Sequence, residues 1–393
     1  MKNSKENPAE KEKEPQIVGK ELHAHLSGSV SPTDIFDIIL QNNLHKMQKD
    51  RINSITNSFG IMLADEIEAD PQKAKKNFSD AYICQPSGVN RFAEVMQRFN
   101  LTSFLLQAPE IRSQIAKAAC EDFRRNGVNY VEWRIDPFSS TKNQSAQEGY
   151  EKLSDFYSGM LSIDLVSKFV LSLQRSRYRK TDGTPNQTKI AFLAQELEQL
   201  FRLGKDLPIV GVDFSGDEVV PLTHFNEIFD LARTKGLEIV PHVGEGGSPI
   251  EEGFSDIETA LDAGAKRLGH AIVAYDNLDK YLGGNDRVGN LYDHQRIEKL
   301  EARQKAIIGR VKKERVAIEV CPTSNLTAHL GLRSFEEHPI NRLVEGKVPF
   351  VICSDDPGIF GTTLKREIMS ISKAKNLNPW RLIATANRFG YDG

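Results

Sequence analysis

Four cysteines in 393 residues, Cys84, Cys120, Cys321 and Cys353, are too few for a disulfide scaffold of this size and too widely spaced for a paired zinc knuckle. A reducing compartment is the simpler reading, and a cytoplasmic location is expected. No stretch approaches the ~20 apolar residues of a membrane span, and the charged start MKNSKENPAEKEKEPQ lacks the apolar centre of a secretory signal. Nor is there an excess of positive charge, because 51 Lys+Arg stand against 54 Asp+Glu for a formal charge of −3. That balance argues against binding nucleic acid through bulk charge and favours small-molecule partners. Hydrophobic residues make up 39%, enough for a large core, so general disorder is excluded.

Residues 1–16 combine Lys, Glu, Asn and Pro with no apolar face and are expected to form a disordered tail. From Ile17 onward, short β-branched runs alternate with longer amphipathic stretches, the rhythm of repeated βα units. Eight strands are expected near 18–25, 128–135, 168–173, 209–214, 238–243, 267–272, 316–320 and 349–354. The fold class is therefore α/β, a (β/α)8 TIM-type barrel forming one domain over 17–393. A doubly wound sheet usually carries a Gly-rich phosphate turn after its first strand, whereas that position reads HAHLSGS. Two segments exceed a minimal barrel: 33–106 after strand one and 276–313 after strand six. Within the first, VNRFAEVMQRFNLTSFLL has the apolar spacing of a helix lying over a cavity.

His23 and His25 are one residue apart on a strand, so period-two alternation points both imidazoles to one side. His242, His270 and the pair Asp355 and Asp356 close strands five, six and eight, and barrel strand ends converge on one mouth. His23, His25, His242 and Asp355 make an N/O set suited to one Zn2+ per chain with an open position for water. A bound divalent ion lowers the pKa of that water from about 16 to about 7. Glu245, three residues beyond His242, is placed to exchange a proton with substrate.

ELHAHLSGS, VDFSGDE, PHVGEGG, RLGHAI, EVCPTSN and CSDDPGIFGTTLKRE resemble, in this order, the motif series of the adenosine/AMP deaminase family of zinc-dependent aminohydrolases. The resemblance implies that His23, His25, His242 and Asp355 bind the metal and that Glu245 gives a proton to purine N1. It implies that His270 orients or deprotonates the metal-bound water, that the Gly216 backbone meets purine N3, and that Asp356 partners N7. Hydroxide attack on C6 dearomatises the ring, so protonation at N1 relieves charge that would otherwise accumulate. The implied activity is hydrolytic deamination of a purine nucleoside, with adenosine the default substrate. N6-methyl-AMP, AMP, adenine or a modified adenine nucleoside are alternatives, and a catalytically silent binding or signalling protein on the same barrel is a third reading.

After HAHL, where many relatives carry an acid toward the ribose, this chain has Ser27. Arg175, Arg177, Arg179 and Lys180 follow strand three, where one or two of them are candidates for a substrate phosphate. The alternative is a solvated basic loop. Asp213 and Asp217 read as turn or supporting groups, Cys321, Ser324 and Asn325 as candidates to line the site for which a Cys-Pro turn ending a strand is an adequate explanation, and His45, His224, His294, His329 and His338 as surface or packing residues.

Overall fold

The computed structural model describes residues 19–139, 144–246, 249–278, 287–288, 291–292, 294–329 and 332–391, with backbone alone at 287–288, 291–292, 294 and 329. The charged segment 1–16 lies outside the described residues. The strands are β1 (Gly19–His25), β2 (Val128–Ile135), β3 (Val166–Gln174), β4 (Ile209–Ser215), β5 (Glu238–Ile239), β6 (His242–Val243), β7 (Arg267–His270), β8 (Arg287–Val288), β9 (Leu291–Tyr292), β10 (Ala317–Val320) and β11 (Phe350–Ile352). β2, reading VNYVEWRI, is β-branched and aromatic, and every residue except Asn129 is buried. This pattern belongs to a parallel strand covered on both faces.

β1 through β5 pair in chain order, and β6, β7, β10 and β11 form the second run. Two seams join the runs. Between β5 and β6 stands Pro241, which has no N–H for a ladder and splits the fifth expected strand into two short pieces. Val240 N still donates to Val212 O at 3.0 Å, and Gly269 N donates to Pro241 O at 2.8 Å, so the interrupted strand hands on from β4 to β7. At the other seam, a parallel bridge joins Ala24 to Asp355. There His25 N donates to Asp355 O, and Asp355 N donates to His23 O, both at 2.9 Å. The eight strand positions thus make the expected (β/α)8 TIM-type barrel.

Capping side chains start several of the surrounding helices. Ser31 accepts from Asp34 N before Pro32–Gln41, Asp70 accepts from Gln72 N and Lys73 N before Pro71–Tyr82, and Thr363 accepts from Arg366 N before Leu364–Lys375. The long segment after β1 contributes a series of helices ending with Phe92–Leu105, which lies against the cavity described below. The segment after β7 contributes the antiparallel pair β8 and β9 and the helix His294–Glu314. Arg296, Arg303 and Arg310 of that helix, seven residues apart, pair with Glu251, Glu258 and Asp262 of the helix Ile250–Asp262 at 2.6, 2.6 and 2.9 Å. Among the described residues no helix is long and apolar enough to cross a membrane.

Candidate active site

The C-terminal strand ends and the turns just beyond them bring six of the expected groups together. His23 and His25 leave β1 on the same side, and the Nε2 atoms of both lie 3.1 Å from His242 Nε2. Asp355 Oδ1 is 3.5 Å from His23 Nε2 and from His25 Nε2. His270 Nε2 lies 3.1 Å from Glu245 Oε1 and 3.8 Å from Asp355 Oδ2. Donor atoms of His23, His242, His270 and Asp355 all fall within 4.8 Å of one another, a set that can hold one metal ion. His25 stands beside this foursome. Which four imidazole and carboxylate groups make the shell is thus a question of which nitrogen carries a proton rather than of distance.

Residues behind the cluster orient it. His23 Nδ1 meets Glu319 Oε2 at 2.7 Å, and His242 Nδ1 meets Asp213 Oδ1 at 2.8 Å. A ring whose Nδ1–H is held by a carboxylate presents an Nε2 lone pair, the form a metal needs. Arg134 bridges the two carboxylates, pairing with Asp213 at 2.9 Å and also with Glu319. Arg267 Nε holds the other oxygen of Glu319 at 2.7 Å. Sequence reading assigns Asp213 a supporting place but passes over Arg134 and Glu319. The signal available for them is a charged residue inside an otherwise apolar strand run.

Burial and Arg134 oppose a charge on His23, yet hydrogen bonds to Asp355 and Glu319 outweigh them and raise its pKa to about 9. Burial pushes His25 down to about 3 and His270 likewise to about 3. Burial opposes ionisation of Asp355, but its contacts with His23 hold it well below the usual carboxylate range. Burial, with Asp355 and Glu245 close by, drives Asp356 well above that range. At neutral pH His25 and His270 are therefore neutral and Asp355 is ionised, and a metal ion in the cluster would displace the proton that His23 holds.

Backbone strain marks the same place. His270, Ala271 and Asp355 have φ of 55°, 46° and 60°, left-handed conformations uncommon for such residues. Gly28 lets the β1 loop approach the last strand, because a Cβ there would sit 1.8 Å from Asp356 Oδ1. Gly216, at φ 78°, turns the chain after β4 and brings its backbone to the cavity.

A cavity of about 320 Å³ opens from the cluster, lined among others by Ser27, Gly216, Glu245, Asp356 and Phe99. Arg177 also reaches it, with Nη1 3.3 Å from Asp136 Oδ2. Arg175 corrects the expectation for the basic loop, being neither a phosphate ligand in waiting nor solvated. It is wholly buried, paired with Glu218 at 3.1 Å and with Asp256, and donates to His242 O at 3.0 Å. Among the remaining histidines, His45 is buried and His224 Nδ1 meets Gln187 Nε2 at 2.7 Å. The side chains of His294 and His329 lie outside the described residues. His338 is buried and joined to the site through Asn325, a link that spacing does not reveal.

Fold and site together define a metal-assisted barrel enzyme of the hydrolytic class. More narrowly, the chain belongs to the adenosine deaminase family: the family's sequence model, described as adenosine deaminase, matches residues 65–388. Among similar proteins, an aminodeoxyfutalosine deaminase of Acidothermus cellulolyticus is 25% identical, covering 92% of this chain and 83% of its own length. An adenosine deaminase of Clostridium kluyveri is 24% identical, covering 90% and 82%. The fold is similar to that of the N6-methyl-AMP deaminase from Arabidopsis thaliana, with a TM-score of 0.61 at 21% identity over 96% of this chain and 93% of that one.

Proposed function

We propose that this protein is a zinc-dependent hydrolytic deaminase of a purine nucleoside, converting adenosine to inosine and ammonia. The observation that carries the reading is the Glu245 to His270 contact of 3.1 Å, set beside the His23, His25, His242 and Asp355 cluster on a cavity that Gly216 and Asp356 also line. A divalent ion held by those four residues would supply Lewis-acid polarisation of water.

The chain's own groups do the rest. Gly216 and Asp356 grip N3 and N7 of the purine and fix C6 toward the cluster. His270 orients the attacking water, whose oxygen forms the bond to C6 while a proton passes from Glu245 to N1. Of the two protons the water gives up, one moves to the departing amine and the other returns to Glu245, the C6–N bond breaks, and ammonia and the 6-oxopurine remain. Placing N1 against a carboxyl that gives up its proton as the ring loses aromaticity lowers the barrier, because no charge is left on the ring.

A second reading, a nucleoside monophosphate substrate, is favoured by Arg177 at the cavity wall. Steady-state release of ammonia or methylamine from adenosine, 2′-deoxyadenosine, AMP and N6-methyl-AMP at one ionic strength separates the two. Adenosine is expected to give the highest kcat/KM. A monophosphate preference that disappears in Arg177→Ala moves the substrate to the nucleotide, and release of neither amine from any of the four rejects the deaminase reading.

A further inference from the structure

His270 is contacted from behind by a chain of hydrogen bonds whose direction can be read from its far end. Ile340 N lies 3.2 Å from His338 Nδ1. A backbone N–H only donates, so His338 Nδ1 is the acceptor, and the neutral ring carries its proton on Nε2. His338 Nε2 lies 3.2 Å from Asn325 Oδ1, which accepts from it. The Asn325 amide nitrogen is left facing His270 Nδ1 at 3.0 Å, and an amide nitrogen donates. His270 Nδ1 is therefore an acceptor too, and its proton sits on Nε2, the atom 3.1 Å from Glu245 Oε1. Asn325 is completely buried and His338 is 1% exposed, so water offers no competing partner.

We infer that His338 and Asn325 are positioning residues that lock His270 as its Nε2–H tautomer. Locked in this way, His270 has no lone pair to give a metal at Nε2, so it stands outside the coordination shell, and His25 completes the set with His23, His242 and Asp355. The opposite wiring behind His23 and His242, where carboxylates take the Nδ1–H, leaves their Nε2 atoms as lone pairs. Three strand-end imidazoles of similar placement are thus sorted into two ligands and one hydrogen-bond donor by what touches Nδ1. The donor faces Glu245 and the attacking water, so His270 orients the water and does not take its proton at Nε2. This last step rests on the deaminase reading, whereas the tautomer does not.

The test is long-range 1H–15N NMR on zinc-loaded protein labelled with 15N-histidine, with the His270 ring assigned through His270→Gln. The expected spectrum has a protonated Nε2 and a lone-pair Nδ1 for His270. In Asn325→Asp, a carboxylate facing Nδ1 should invert that pattern and lower kcat by roughly tenfold to a hundredfold with little change in KM. His338→Leu, which keeps the bulk but not the donor, should lose the ordered Nε2–H signal, and His338→Gln, which keeps a donor, should recover most of it. A parental spectrum showing Nδ1–H at His270 overturns the lock even if every variant fails to fold. An unchanged spectrum in Asn325→Asp overturns it as well. Absence of deaminase activity with the expected spectrum discards the proposed reaction and leaves the tautomer standing.

Discussion

Glu245 and Arg175 were both prominent as charged residues near strand ends, and their surroundings separate them. Glu245 lies on the cavity within 3.1 Å of His270, so Glu245→Gln, similar in size, is expected to retain zinc and fold while turnover falls by roughly 10² to 10⁴. Zinc content, circular dichroism and kcat measured on one preparation check this, and an undiminished kcat would remove Glu245 from the proton path. Arg175 answers two buried carboxylates and a backbone carbonyl of His242. Its loss strands those acceptors, so Arg175→Ala should cost about 3–5 kcal/mol of stability. Arg177, whose side chain is 25% exposed beside Asp136, should cost less than about 1 kcal/mol when changed to Ala. Urea melts of both variants test the contrast, and equal losses would contradict the buried geometry.

Among the elements, the helix His294–Glu314 shows how a strongly charged stretch becomes part of a fold. Its arginines recur every seven residues, two helical turns, and so fall on one face, where Glu251, Glu258 and Asp262 recur on the neighbouring helix. Each pair is partly exposed, so its contribution is modest and screened by salt. Arg303 adds a donor to Glu251 O and a position over the Phe254 ring. Arg303→Ala is therefore expected to destabilise by about 1 kcal/mol at low ionic strength and by visibly less in high salt. Thermal melts at two salt concentrations measure this. A loss independent of salt would assign the helix contact to apolar packing instead.

For the molecule as a whole, the cluster of strand-end histidines and Asp355 is braced by the protein's own charged groups. Arg134 and Arg267 tie Glu319 and Asp213 to strands on several sides of the barrel, and those carboxylates hold the Nδ1 atoms of His23 and His242. Chelation is accordingly expected to abolish activity and lower Tm by mass action, while the circular dichroism of the barrel persists and zinc restores both losses. Unfolding on chelation would mean that the metal, not the ion-pair network, holds the strand ends together.

The βα rhythm, the eight strand positions and the set of strand-end His and Asp residues were legible in the sequence because each rests on local information. Alternation along a strand aims His23 and His25 together, and strand ends of a barrel share one mouth. Even the break in strand five is written locally, in Pro241. Tertiary structure alone decided which partner each charged group meets. Glu319 lies 296 positions from His23, Glu218 lies 43 from Arg175, and His338 reaches His270 only through Asn325. A side chain's type fixes whether it can donate or accept. Its protonation and tautomer depend on the group across the contact, and chain closure around the barrel brings that group there.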